Sequence, residues 1–101
     1  VNRSDRELTQ DTCISLHVSP LIDTYVPIDW AIATPRADRV RVRAHTCERL
    51  PVAYELCQAA GLMFIRRTSR GEGATVVHES PWQRVCEVEE LWRRLLEGMA
   101  R

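Results

Sequence analysis

A chain of 101 residues, 45% apolar and 28% charged, can close one hydrophobic core without disulfide or metal staples. Its formal charge is zero, yet all fourteen basic residues are arginine, which excludes any chemistry that needs a P-loop, Schiff-base or serine-paired lysine. No apolar run reaches membrane-spanning length and the start VNRSDRELTQDT has no signal-peptide pattern, so the cytoplasm is the expected setting and a membrane is not an expected partner.

Ser4-Asp-Arg-Glu7 has the form of a capping box, but little apolar pattern follows it. Residues 1–11 are therefore expected to be a flexible or short helical arm, and residues 12–101 a single domain. Ile14, Leu16 and Val18 alternate with Ser15 and His17 as a short strand would, ended by Ser19-Pro20. Leu21 to Val26 fits either a turn of helix or a short strand, broken at Pro27.

Ile28, Trp30 and Ile32 alternate with Asp29, Ala31 and Ala33, which predicts a half-buried strand. After Pro35-Arg-Ala-Asp38, Val40, Val42 and Ala44 alternate with Arg39, Arg41, Arg43 and His45. The two runs are expected to pair as a hairpin. A loop of residues 35–38 would set Ile32 and Trp30 opposite arginines, whereas a loop of 35–39 sets Ile32 opposite Val42 and Trp30 opposite Ala44. The longer loop is the expectation.

Residues 50–60 carry two patterns. Leu50, Val52, Tyr54 and Leu56 alternate as in a strand; Leu50, Tyr54, Cys57 and Gly61 fit a helix, with Pro51 near its start. The strand is preferred because GLMFIRRT can pair back on it. Leu62 to Thr68 reads as a strand apolar on both faces and so central, Ser69–Gly73 as a turn, and Ala74–His78 as the returning strand.

From Ser80, a helix is expected to run to Met99. Ser80 and Gln83 form a capping box around Pro81, and Val85, Val88, Leu91, Trp92, Leu95, Leu96 and Met99 make one apolar stripe. Glu89–Arg93 and Glu90–Arg94 have ion-pair spacing, and Gly98 is placed to end the helix. The predicted fold is α+β: an antiparallel sheet of about four to six strands in meander-like hairpins, with one long C-terminal amphipathic helix on one face. The alternative makes residues 50–60 helical, giving a β-α-β-β-α core.

Charge is unevenly laid out. Residues 1–35 have two arginines against five acids, residues 36–70 eight against three, and residues 71–101 four against six. Arg39, Arg41 and Arg43 stand at every second position, with Arg66, Arg67 and Arg70 along the next hairpin. Together they are expected to form an arginine-rich sheet face opposite the helix; the alternative is a merely solvated face whose arginines pair with nearby carboxylates such as Asp29, Asp38 and Glu55. An acidic protein is the expected partner of this face. The same face could bind nucleic acid, but the neutral charge and the lack of aromatics among the arginines argue against it. Trp82, at the edge of the helical stripe, is a further candidate contact residue or a staple of helix to sheet; Trp30 and Trp92 are expected to meet in the core.

Chemistry is harder to place. The cysteines at 13, 47, 57 and 86 have no C-x-x-C spacing, so reduced thiols are expected, Cys13 and Cys57 as packing residues and Cys86 partly exposed. His45-Thr-Cys47 opens like some zinc sites, but the second half of such a motif is missing; His17 and His78 have no partner by spacing. None of the five serines has a G-x-S-x-G context, and the four glycines make no phosphate cradle. No cofactor or metal is expected. The functional expectation is a small non-catalytic regulatory or accessory protein, monomeric or homodimeric, that acts by binding. A small enzyme or metal protein using His45, Cys47 or His78 is the remaining alternative.

Overall fold

The middle of the sheet follows from local sequence. In the computed structural model, which describes residues 16–101, β3 (Val52–Ala59), β4 (Leu62–Gly71) and β5 (Ala74–Glu79) form an antiparallel meander. Ala60 and Gly61, both at positive φ (53° and 79°), make the tight β3–β4 turn, and Gly73 at φ 75° serves the turn between β4 and β5. Within the stretch 50–60, Val52–Ala59 is thus strand, and the β-α-β-β-α alternative is not formed. The expected arm 1–11, Cys13, and Ile14 and Ser15 of the first expected strand lie outside the described residues. Leu16 makes a single parallel bridge with Thr46.

The flanks depart from the local pattern. β1 (Ala31–Ile32) and β2 (Arg41–His45) are not a hairpin: they occupy opposite edges of a five-stranded sheet in the order β1-β5-β4-β3-β2. Ala31 stands opposite Glu79 and Ile32 opposite His78, while β2 pairs with β3. Residues 33–40 must therefore cross four strand spacings, roughly 19 Å, which eight extended residues can span. The physical return is coverage of the second face: Ala37, carried by this strap, packs with Trp82 against Cys57, Ala59 and Phe64. A local turn at residues 35–39 would leave those side chains bare. Ile32, placed inside by its alternation, is instead 63% exposed at the sheet edge.

The helix is also shorter than its apolar stripe. α1 spans Val85–Leu96, twelve residues or about 18 Å, not 80–99. Ser80 is not its cap; its backbone N–H donates to the Ile65 carbonyl and its hydroxyl accepts the Ile65 N–H, both at 2.8 Å. Met63 and Gln83 exchange two further backbone bonds, so residues 80–83 continue alongside β4 as an extended segment. The helix begins after Arg84, whose backbone N–H donates to the Glu87 carboxylate at 3.3 Å. Arg93 pairs with Glu90 and Glu97 rather than with Glu89, at 2.5 and 2.6 Å. Gly98, at φ 77°, ends the helix as expected.

Val88, Trp92 and Leu95 press the helix onto Tyr54, Leu56, Met63 and Ile65 of the sheet. Trp30 borders the same cluster, with the Tyr54 ring 6.0 Å away. Beyond Gly98 the tail is clamped by the segment before β1: Ile22 donates to Gly98, Val26 to Met99, and Arg101 back to Val26, at 2.9–3.1 Å. Residues 21–26 are a turn at Asp23–Thr24 followed by this bridge, neither helix nor strand.

Candidate functional site

Strand parity sorts the ionisable groups between two faces. Tyr54, Leu56 and Ile65 point to the helix, so Glu55 and Arg66 project from the other side. Four polar residues stand in register there, one per strand from β2 to β5: His45, Glu55, Arg66 and Glu79. Arg66 lies between two carboxylates and closes its ion pair on Glu55 at 3.3 Å; the two side chains are 28% and 26% exposed. Glu79 is 8% exposed, and its Oε1 accepts the Trp82 indole N–H at 3.1 Å. Trp82 stacks on Phe64 with centroids 4.3 Å apart and planes 4° from parallel, and the Arg36 guanidinium sits 5.2 Å from the Trp82 ring centre. The strap and the Arg66 and Glu79 end of this row border an open groove of about 400 Å³. A recess of about 190 Å³, bordered by His45, Glu55, Thr68 and Arg70, lies next to it.

The six candidate arginines do not form one face. Arg66 and Arg70 project from the strap side, but Arg67 is on the helix side, opposite Tyr54 and His78. Its guanidinium lies 4.6 Å from the Trp30 ring centre, and its Nη2 is 3.3 Å from His78 Nδ1. Among the described residues, the Nε–H of Arg67 and the indole N–H of Trp30 are buried without an acceptor, a cost carried by this corner of the packing. Arg70 donates to the carbonyls of Glu48 and Leu50 at 2.6 and 2.9 Å, so it staples the loop between β2 and β3.

Arg39, Arg41 and Arg43 are different. All three are exposed, and among the described residues none of their side chains makes an ion pair or hydrogen bond. Arg41 faces Gln58, while the register slips between Val42 and Ala44, so Arg43 sits in a bulge and the every-second-residue row is broken. Arg39 borders two concavities that meet at Ala60: one of about 650 Å³ with Arg36 and Asp38, the other of about 280 Å³ with Arg41 and Gln58.

The remaining candidates are dispersed. Trp82 is half-buried and staples the post-β5 segment onto Phe64. His45 holds its Nδ1 3.0 Å from the Thr46 carbonyl oxygen, and Cys47 is buried beside it. His78 projects to the helix side, three strand positions away from His45, and His17 is exposed near the start of the described chain. Among the described residues no group of three His, Cys, Asp or Glu side chains is arranged to hold a metal. Cys86 is exposed in the first helical turn. Burial pushes the Cys57 thiol up to about 11, against a lowering by Arg66 and with a further rise from Glu55 and Glu79, so it is a packing group with little thiolate character. Arg36 and Glu79 are the residues of this region that sequence reasoning did not single out. Glu79 lies one residue beyond the predicted returning strand Ala74–His78, so the sequence pattern assigned it no face, whereas β5 extends to include it.

No family model, curated protein or solved structure matches the chain. No helix among the described residues is long and apolar enough to cross a membrane.

Proposed function

We propose that the protein is a non-catalytic binding module that engages an acidic protein partner through Arg39, Arg41 and Arg43. One observation carries this reading: these three exposed guanidinium groups have no partner among the described residues, whereas Arg66, Arg67 and Arg70 are engaged within the fold. Residues 36–49 hold five arginines against Asp38 and Glu48, a local charge of +3 on a sheet edge. Guanidinium groups bind carboxylates through paired donors, and an uncompensated cluster at an edge steers acidic surfaces toward it. A regulatory or accessory role in the cytoplasm fits thiols such as Cys57 and Cys86 that carry no disulfide.

Nucleic acid is the competing partner for the same arginines. The bulge at Arg43 removes the regular spacing that would track phosphates, and Trp82 is stacked on Phe64 rather than offered to a base. Retention on immobilised polyglutamate and on duplex DNA separates the two. Salt-sensitive retention on polyglutamate, lost in the Arg39→Ala, Arg41→Ala, Arg43→Ala variant, is the expected result. Stronger retention on DNA, or none on either, would overturn the proposal.

A further inference from the structure

We infer that the groove between the strap and the sheet binds a small zwitterion, an amino acid with an apolar side chain. Three charged side chains line this groove: Arg36, Arg66 and Glu79. Arg66 stands opposite Glu79 across β4 and β5 but closes its ion pair on Glu55, which does not line the groove, at 3.3 Å. Arg36 and Glu79 are then the cation and the anion of the lining with no ion pair among the described residues. Glu79 is 92% buried by its 8% exposure and has a single neutral donor, the Trp82 indole N–H, for a carboxylate with about four acceptor sites. A carboxylate so placed is costly without a cation or further donors. Arg36 has no carboxylate partner among the described residues and rests over the Trp82 ring at 5.2 Å.

Trp82 holds the two charges apart, with Arg36 over its face and Glu79 at its N–H edge. A ligand bearing both an ammonium and a carboxylate satisfies both; an amine or an acid alone satisfies one. The rest of the lining sets the side chain. Ala33, Pro35, Ala37, Val40 and Val77 make most of the wall apolar, with Thr34 and Thr68 also lining it, and the volume of about 400 Å³ lies in the range of small-ligand sites rather than of a folded partner. The inference uses none of Arg39, Arg41 and Arg43, so it stands or falls apart from the acidic-partner reading.

The test is a titration of the full chain with L-phenylalanine, followed by the Trp82 indole N–H resonance. The expected result is a saturable shift. Phenethylamine, which lacks the carboxylate, and N-acetyl-L-phenylalanine, which lacks the ammonium, should each bind at least about tenfold more weakly. Glu79→Gln keeps an acceptor for the indole and removes the charge; Arg36→Gln removes the other. Each should weaken phenylalanine by a similar factor while the Trp30 and Trp92 indole resonances stay in place. If Glu79→Gln fails to fold, the exposed Arg36→Gln decides. No saturable shift, equal binding of the singly charged analogues, or full binding by a folded variant would overturn the inference.

Discussion

Gly98 lies so close to the Pro20 carbonyl that a β-carbon at Gly98 would drive into the Pro20 oxygen. The same glycine sits at φ 77°, so it both ends the helix and lets the tail dock beside residues 19–28. Gly98→Ala therefore combines left-handed backbone strain with a clash against backbone that cannot swing aside. A loss of about 2–4 kcal/mol is expected by urea denaturation. A change within about 0.5 kcal/mol would mean that the clamp between tail and N-terminal segment is not part of the native core.

Trp92 carries the helix onto the sheet from the middle of the buried stripe of Val88, Trp92 and Leu95. Trp92→Ala should cost about 3–5 kcal/mol. Near-neutral behaviour in the same denaturation experiment would show that the stripe faces something other than this sheet.

Ala60 has the opposite sign. It is an exposed alanine at φ 53° in the β3–β4 turn, a position that glycine and asparagine occupy at lower cost. Ala60→Gly should raise stability by about 1 kcal/mol, visible as a higher urea midpoint. A drop in the midpoint would show that the turn is not strained as described.

Alkaline pH should act through two buried groups. Burial raises the Cys57 thiol from 9.0 to about 11, and burial raises Tyr54 above 10.0 against the lowering effect of Arg101 and Arg67. In both, the fold favours the neutral form, so their contribution is complete below the unfolded pKa and is lost as pH rises through the folded one. Cys57 alone should remove on the order of 2 kcal/mol between pH 9.0 and about 11. Stability of the wild type should fall more steeply over that window than stability of Cys57→Ala. Parallel curves would contradict the assignment.

The meander, the strand over 50–60 and the glycine stops were legible because alternation, turn residues and helix periodicity are local signals. The placement of β1 and β2 was not. Their alternation is equally consistent with pairing to each other, and only the need to cover Cys57 and Phe64 on the second face selects the crossover. Ser80-Pro81 has the form of a helix cap, yet the Ser80 hydroxyl meets the Ile65 N–H across the sheet, a long-range bond that no local pattern reports. Parity along a single strand is visible in sequence, which gives the arginine candidates the look of one stripe. The bulge at Arg43 and the relative parity of Arg66 and Arg67 become defined only once register is set.

The central claim is that location, not net charge, makes Arg39, Arg41 and Arg43 a binding edge. The direct measurement is fluorescence anisotropy of a labelled oligoglutamate at low salt, comparing two variants that each lose three positive charges. One carries Arg39→Ala, Arg41→Ala and Arg43→Ala; the other carries Arg84→Ala, Arg93→Ala and Arg94→Ala, in and beside α1. The account predicts that the first loses affinity by at least about tenfold while the second stays near wild type. Equal losses in both, or wild-type affinity in the first, would contradict it.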